Sequence, residues 1–156
     1  MPSTPSLRCP SELDTIALGQ RIGRALIRGD LLVLTGPLGA GKTVLVRGVA
    51  VGAGADPSAV RSPTFVLHHV YSGERVTLHH LDLYRLGAGA DLAVLDIDGL
   101  LESGAVVVEW GELADLDRYT PPRVVLEIDE EVRTVTLRGR ESPRIATAWT
   151  RDALRM

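Results

Sequence analysis

Residues 31–43 limit the possible folds of this chain more than any other stretch. The first five of them, Leu31–Thr35, are almost all apolar, as in a buried strand. The following eight fit the pattern G-x-x-x-x-G-K-[ST] as Gly36-Pro37-Leu38-Gly39-Ala40-Gly41-Lys42-Thr43. Glycines let the backbone turn tightly and point N–H groups at a phosphate, and the helix that follows brings its positive end to the same place. The pattern therefore predicts a strand, a phosphate-binding loop and a helix.

Lys42 and Thr43 are the side chains of this loop that carry chemistry. Lys42 is the only lysine of the chain, and its ammonium can reach the terminal phosphates of a nucleoside triphosphate. The Thr43 hydroxyl can ligate a magnesium ion shared with those phosphates. A glycine-rich turn with an accidental lysine is the alternative. We predict a nucleoside triphosphate site formed by Gly36, Leu38, Gly39, Ala40, Gly41, Lys42 and Thr43.

Length and composition favour one domain in a reducing compartment. The chain has 156 residues and a net charge of −3, with both signs mixed along it. No basic surface for autonomous nucleic-acid binding is indicated, so any contact with RNA is expected to pass through a partner. Cys9 is the only cysteine, and no apolar run suits a membrane span or a signal peptide. We expect a cytoplasmic protein without membrane contact.

The domain itself is predicted to cover residues 11–139. Residues 1–10 are predicted to be a disordered tail because they are rich in proline and serine. Ser11, followed by acidic residues, is expected to cap a helix that runs to about Arg28. Residues 140–156 form a tail for which a short helix and a frayed end are both open.

Two turns predict antiparallel hairpins within this domain. Ser72-Gly73-Glu74 separates two strand-like segments, and Glu130-Glu131 separates two more. We place the second of these hairpins at a sheet edge. A further helix is expected from about Ala90. The fold class predicted is α/β, a P-loop NTPase-like three-layer sandwich with a mixed sheet that includes antiparallel hairpins.

Two carboxylates are candidates for the chemistry of a triphosphate site. Glu109 ends the apolar run Ala105–Glu109, which is typical of a buried central strand, and a magnesium-triphosphate site needs such an acid near the metal. Asp82 ends another strand-like segment and could hold magnesium through water or orient the attacking water. A solvated strand end for Glu109 and a helix cap for Asp82 are the alternatives.

Three further features have less specific signals. Thr64 lies on the first loop after the predicted phosphate-loop helix, where switch-like loops often place a hydroxyl near the terminal phosphate. Trp110 could pack against the nucleotide or a partner, or cap the core. The four histidines, at 68, 69, 79 and 80, fall on one hairpin. Neighbours on a strand point to opposite faces, so cross-strand packing is favoured over a metal site.

Four motifs occur in order along the chain: Gly36-Pro37-Leu38-Gly39-Ala40-Gly41-Lys42-Thr43, Ser62-Pro63-Thr64-Phe65, His80-Leu81-Asp82-Leu83-Tyr84-Arg85-Leu86 and Val107-Val108-Glu109-Trp110. Together they closely resemble the bacterial TsaE (YjeE) family over about residues 11–129. The resemblance implies an ATPase of the machinery that makes N6-threonylcarbamoyladenosine at position 37 of transfer RNA. It also implies ATP and Mg²⁺ as cofactors and the TsaB–TsaD heterodimer as partner. In that family TsaD transfers the threonylcarbamoyl group, so transfer RNA is reached only through the complex.

The resemblance also assigns roles to the two acids and to the end of the phosphate loop. Lys42 and Thr43 match the family's phosphate and magnesium ligands. Glu109 matches its second magnesium contact, and Asp82 matches the acid needed for hydrolysis. These assignments agree with the chemistry expected from the residues themselves.

Other positions are carried over from the family alone. Trp110 matches a tryptophan near the nucleotide. Thr64 matches a residue of the switch-like loop, and we count Thr64 among the catalytic candidates. Glu12 and Thr15 match a stretch that approaches the nucleotide. The family commonly has an acidic residue at the position of Pro37. The proline leaves the backbone cradle of the loop intact but changes the local charge.

Other readings of a triphosphate site remain open. A small-molecule P-loop kinase would need a lid with phosphate-binding arginines, and no insertion here is long enough to be an obvious lid. A GTPase usually uses an Asn-Lys-x-Asp element, and no second lysine exists to supply it. A nucleotide-dependent binding module without essential hydrolysis is the third alternative.

Overall fold

The central sheet has a parallel middle and antiparallel flanks. The structure is a computed structural model that describes residues 4–60, 67–85, 95–111 and 115–150. Its strands are β1 (Ser6–Cys9), β2 (Leu31–Thr35), β3 (His68–Tyr71), β4 (Leu78–Asp82), β5 (Ala105–Glu109), β6 (Pro122–Asp129) and β7 (Val132–Gly139). They form one seven-stranded sheet in the order β1-β7-β6-β2-β5-β4-β3, in which β6, β2, β5 and β4 run parallel. The carboxyl ends of these four strands therefore meet at one edge.

Helices cover both faces of this sheet. The described α-helices are α1 (Glu12–Ala25), α2 (Lys42–Gly52), α3 (Ile97–Ser103) and α4 (Pro143–Ala146). Because side chains alternate along a strand, Leu32 and Leu34 join the apolar cluster shared with α1 and α2. Leu31 and Val33 point the other way, into a cluster shared with α3. This three-layer arrangement confirms the predicted fold class.

Helix α1 begins where the sequence predicted. The Ser11 hydroxyl accepts a hydrogen bond from the backbone N–H of Asp14 at 3.3 Å, and the Asp14 carboxylate accepts one from the N–H of Ser11 at 3.0 Å. This reciprocal pair satisfies two donors that the first turn of a helix leaves open. The helix ends at Ala25, three residues before the predicted limit at Arg28, and Leu26 follows in an extended conformation.

Glycines allow α1 and α2 to touch backbone to backbone. A Cβ placed on Gly19 of α1 would lie 2.4 Å from the carbonyl oxygen of Leu45, and one on Gly48 of α2 would lie 2.3 Å from that of Ile16. Such distances are well inside van der Waals contact, so no larger residue fits without moving a helix. The contact fixes the start of α1 beside the start of α2, where the glycine-rich loop of residues 36–43 ends.

Residues 6–9 differ from the prediction. Instead of a disordered tail, residues 6–9 form β1, which pairs antiparallel with β7 so that Leu7 lies opposite Val135. Ser6 and Arg8 are exposed while Cys9 is fully buried, which is the alternation of an edge strand. Proline and serine around this segment obscured that pattern.

The two predicted hairpins are confirmed, with one change of position. Strands β3 and β4 are antiparallel, and so are β6 and β7. The β6–β7 hairpin was expected at the sheet edge, but β1 covers β7 and is itself the edge strand. The prediction could not include this strand because it treated residues 1–10 as a tail.

A helix was predicted from about Ala90, but α3 begins only at Ile97, because Asp96 precedes it as N-cap in a left-handed conformation with φ 50°. Residues 86–94 lie outside the described part. No helix among the described residues is both long and apolar enough to cross a membrane.

The described part of the C-terminal tail packs on the domain. A turn at Thr147–Trp149 follows α4, and the Trp149 indole donates to the carbonyl oxygen of Val135 at 2.9 Å. Arg21 of α1 donates from Nε to the carbonyl oxygen of Ala148 at 2.7 Å. Of the two alternatives for this tail, the short helix is the one observed, as α4.

Candidate functional site

The glycine-rich loop connects β2 to α2 at the carboxyl edge of the parallel strands. A Cβ on Gly36 would lie 2.6 Å from the carbonyl oxygen of Leu126 in β6, so only glycine lets the loop pass this close to its neighbour. Gly41 has φ 99° and precedes α2 as its N-terminal cap, a left-handed conformation that favours glycine. The close approach to β6 thus requires glycine at position 36, and the left-handed turn into α2 favours glycine at position 41.

Lys42 lies across this loop. The side chain is only 5% exposed, and Nζ donates to the carbonyl oxygen of Gly36 and, at 3.4 Å, to that of Pro37. On its other side the ammonium lies 3.7 Å from the centre of the Trp110 ring, a cation–π contact. The lysine that the motif singled out is therefore held between the loop backbone and the residue after β5.

Trp110 reaches Lys42 because the chain turns sharply at the end of β5. Its φ is 60°, a left-handed conformation that is rare for an aromatic residue. The Tyr84 ring lies 5.1 Å from the indole ring and is 59% exposed. Trp110 also packs against the apolar cluster under α3, which fits the core-capping interpretation, and it contacts the loop lysine as well.

Asp82 and Glu109 end two neighbouring parallel strands. They are register partners in the β4–β5 pair, and Glu109 is also opposite Leu34 of β2, two residues before Gly36. Both acids therefore lie at the edge where the loop begins. Thr43, the second residue of α2, is half-buried.

The two acids have different partners. Glu109 is 4% exposed, and its Oε2 lies 2.5 Å from Nε2 of His80. Oδ1 of Asp82 accepts a hydrogen bond from the N–H of Tyr84 at 3.1 Å and so caps the short turn Leu83–Arg85. This hydrogen bond supports the interpretation of Asp82 as a cap. Its position at the end of β4 is also compatible with the catalytic interpretation.

The four histidines separate onto the two faces of the sheet, as strand alternation predicted. On the α3 face, His68 Nε2 lies 3.0 Å from His79 Nδ1, and His79 Nε2 lies 2.8 Å from the Ser103 hydroxyl. Burial lowers the pKa of both His68 and His79, with smaller contributions from neighbouring histidines. On the other face, His69 stacks on Tyr71 with ring centres 4.4 Å apart.

This separation favours the packing interpretation of the histidines. Within the described ranges, no group of three or more histidine, cysteine, aspartate or glutamate side chains is arranged to hold a metal ion.

A cavity of about 330 Å³ opens beside the start of α2. It is lined by Pro10, Ser11, Glu12, Thr15, Gly41, Val44, Glu131 and Arg133. Glu12 and Thr15 are thus brought to the loop by the α1–α2 contact. Thr64 falls within residues 61–66, outside the described residues.

Arg133 is a residue of this region that the sequence did not indicate. Its Nη2 donates to the carbonyl oxygen of Gly39 at 3.3 Å, and its Nη1 donates to that of Glu131 at 2.8 Å. Arg133 lies in the alternating strand β7, where an arginine normally marks only the solvent face. Its place beside the loop depends on β6 lying next to β2, which the sequence did not determine.

These features define the class of the protein as a P-loop NTPase-like α/β protein. The crystal structure of YdiB from Bacillus subtilis has the same fold, with a TM-score of 0.71 at 24% identity over 95% of this chain and 93% of that one.

The comparisons then give the family. The family described as threonylcarbamoyl adenosine biosynthesis protein TsaE matches residues 9–140, and this chain belongs to it. The tRNA threonylcarbamoyladenosine biosynthesis protein TsaE of Streptomyces coelicolor is 44% identical over 132 residues, covering 78% of this chain and 88% of that protein. Its namesake from Treponema pallidum is 40% identical over 137 residues, covering 85% and 91%. The resemblance stated from the four motifs is confirmed, and with it a role in threonylcarbamoyladenosine biosynthesis.

Proposed function

We propose that this chain binds Mg²⁺-ATP in the glycine-rich loop and hydrolyses it, as the ATPase component of the tRNA threonylcarbamoyladenosine machinery. The observation that carries the proposal is the convergence, at one sheet edge, of the loop, the Lys42 ammonium and two strand-end acids. Its partner in this proposal is the TsaB–TsaD heterodimer, which the family resemblance implies and which performs the transfer to tRNA.

The loop suits a triphosphate. Gly36 approaches β6 so closely that a side chain is excluded, and Gly41 turns the backbone into the amino end of α2, where the positive end of the helix dipole attracts an anion. Lys42 now donates to two loop carbonyl groups. On binding, its ammonium exchanges those partners for terminal phosphate oxygens, which are stronger acceptors because they are charged.

The oxygen donors at the same edge suit magnesium. Thr43 offers a hydroxyl and Glu109 a buried carboxylate, and Mg²⁺ in such sites binds one or two protein oxygens together with phosphate oxygens and water. When bound, the ion neutralises charge on the phosphates. In this proposal Asp82, the register partner of Glu109, orients the attacking water and accepts its proton.

The cavity beside α2 suits the nucleoside. Its volume of about 330 Å³ lies at the lower end of the range for small-ligand pockets. Glu12 and Glu131 offer carboxylates to the donor groups of a nucleoside, and Arg133 offers a planar cation that can lie against a base. The α1–α2 contact and the β6–β7 hairpin hold these walls at the loop.

A small-molecule kinase remains the alternative reading. Within the described residues the mouth of the site is bordered by exposed apolar side chains, of which Leu38 is 77% exposed and Tyr84 59%. An exposed apolar rim suits a macromolecular partner better than a closing lid. This favours the ATPase that acts with partners.

The test compares two aspartates that make the same capping contact. Asp82 accepts from the N–H of Tyr84, and the exposed Asp56 accepts from the N–H of Ser58 at 2.9 Å in the turn Pro57–Ala59. We expect Asp82→Asn to bind Mg²⁺-ATP normally and to lose turnover by about 100-fold or more in the presence of TsaB–TsaD, as for loss of a general base. Asp56→Asn should hydrolyse ATP like the wild type. Lys42→Ala should lose binding in the same assay.

The measurements are ATP binding by calorimetry and phosphate release with and without TsaB–TsaD. If Asp82→Asn and Asp56→Asn turn over ATP equally, Asp82 is only a turn cap and its assigned role is wrong. If the wild-type chain binds no Mg²⁺-ATP under either condition, the proposed site itself is wrong.

A further inference from the structure

We propose that His80 is a positioning residue for Glu109. The inference rests on the proposed magnesium-nucleotide site and adds a residue to it that does not touch the nucleotide. Its starting observation is the 2.5 Å distance between His80 Nε2 and Glu109 Oε2.

The strand geometry makes this contact possible. His80 is the register partner of Val107 in the parallel β4–β5 pair, and Glu109 is two residues further along β5 on the same face. The imidazole therefore reaches diagonally toward the carboxyl edge, where the loop and α2 begin. His79, its neighbour, points to the other face and bonds Ser103 instead.

Burial makes the contact consequential. The side chains of His80 and Glu109 are 13% and 5% exposed, so water has little access to replace the bond. A buried carboxylate without a hydrogen-bond donor is costly and can turn to other partners. With Oε2 held by the imidazole N–H, the carboxylate keeps one orientation, and Oε1 is the oxygen left for a cation.

The chemistry of metal sites predicts what this orientation contributes. Residues that hold a ligating carboxylate in place do not bind the ion themselves. Their loss nevertheless weakens the binding of the metal ion, and weakens it more than the binding of the nucleotide without the metal. His80 should thus affect the magnesium dependence of nucleotide binding and leave metal-free nucleotide binding unchanged.

The experiment uses variants that keep the side-chain volume. His80→Phe retains a ring and removes the donor, His80→Gln retains a donor, and Glu109→Gln removes the carboxylate charge. His69→Phe is the matched control, because His69 is the cross-strand register partner of His80 and stacks on Tyr71. All are made in the full chain and checked for folding by circular dichroism and thermal unfolding.

The probe is a fluorescent ADP, titrated first in EDTA and then with increasing MgCl₂. We expect His80→Phe to raise the Mg²⁺ concentration for half-maximal effect by about tenfold, as for loss of an outer-shell partner. Affinity in EDTA should stay within about twofold of wild type. His80→Gln should recover most of the difference, and His69→Phe should match the wild type.

A double variant asks whether His80 acts through Glu109. If it does, His80→Phe added to Glu109→Gln should shift the Mg²⁺ dependence little beyond Glu109→Gln alone. The proposal is overturned if the two effects multiply, if His80→Phe leaves the Mg²⁺ dependence at the wild-type value, or if His69→Phe shifts it equally.

Failure of the proposed site has a different signature. A wild-type chain that binds no ADP overturns the nucleotide site and this inference together. A wild type that binds ADP with a clear Mg²⁺ dependence, unchanged in His80→Phe, overturns the inference alone.

Discussion

The two faces of the sheet receive neighbouring residues from the same strands and use them differently. The face under α1 and α2 holds His80, Glu109 and the glycine-rich loop, and among the described residues its apolar cluster is the larger of the two. The face under α3 holds the His68–His79–Ser103 chain of hydrogen bonds. Adjacent identical residues, His79 and His80, thus serve different purposes because a strand sends them to opposite sides.

The two faces hold their helices in different ways. On the first face α1 and α2 are in backbone contact, and on the second face an apolar cluster is supplemented by a side-chain hydrogen bond between helix and strand. On the first face two helices meet through glycine backbones, which brings Glu12 and Thr15 to the loop. On the second face α3, only seven residues long, is joined to β4 by the bond between Ser103 and His79. Substitutions on one face therefore test that face without altering the other.

The largest expected effect is on the helix contact. Gly48→Ala would place a Cβ 2.3 Å from the carbonyl oxygen of Ile16. An alanine in a free helix would stabilise by about 1 kcal/mol relative to glycine, but overpacking here should reverse the sign and cost about 1–3 kcal/mol. Urea unfolding measures the free energy, and nucleotide affinity should fall with it because the cavity walls move.

Arg24→Ala is the control for this prediction, since Arg24 is exposed on α1 and should change stability by less than about 0.5 kcal/mol. A Gly48→Ala chain that is more stable than the wild type would mean that the helices are not in backbone contact, and the contrast between the faces would be lost.

Sequence patterns predicted the parts of the molecule that short stretches determine. The loop of residues 36–43, the N-cap at Ser11 and the hairpin around Glu130-Glu131 each depend on a few neighbouring residues, and the structure has them where they were expected. The strand Ala105–Glu109 was visible because a buried parallel strand is continuously apolar.

Long-range placement explains what the sequence did not show. Strand β1 depends on β7, more than a hundred residues away, and its alternation is only four residues long. The contact of His80 with Glu109 and that of Arg133 with Gly39 depend on strand order and register. No local pattern carries this information.

A smaller effect is expected from the histidine of the second face. His79 is 6% exposed and bonds both His68 and Ser103. His79→Ala should destabilise the fold by about 1 kcal/mol, through a cavity and lost hydrogen bonds, without changing the Mg²⁺ dependence of nucleotide binding. Unfolding and the fluorescent-ADP titration measure the two quantities on one preparation.

His80→Ala is the matched comparison for that prediction, because the same truncation on the neighbouring residue should change the Mg²⁺ dependence. If His79→Ala changes it by as much, the two faces do not act separately.

The smallest expected effect is a dependence of stability on pH. Ser103 donates to the carbonyl oxygen of Leu100 at 3.1 Å, so its oxygen accepts from Nε2–H of His79. Neutral His79 then has an acceptor at Nδ1 for the Nε2–H of His68. A proton on His79 Nδ1 would remove that acceptor. Burial lowers the pKa of both His68 and His79, with smaller contributions from neighbouring histidines.

The lowered pKa fixes the direction of this effect. Below pH about 6.5 the unfolded chain takes up protons that the folded His68 and His79 resist, so stability falls as pH decreases through that value and levels off below the folded pKa. Urea unfolding at pH 7.5, 6.5 and 5.5 measures the slope, in a range above the titration of most carboxylates. In His68→Gln one of the two resisting groups is gone and the slope should be shallower. An unchanged slope would mean that His68 does not contribute, and the chain of hydrogen bonds under α3 would then have no part in the pH dependence.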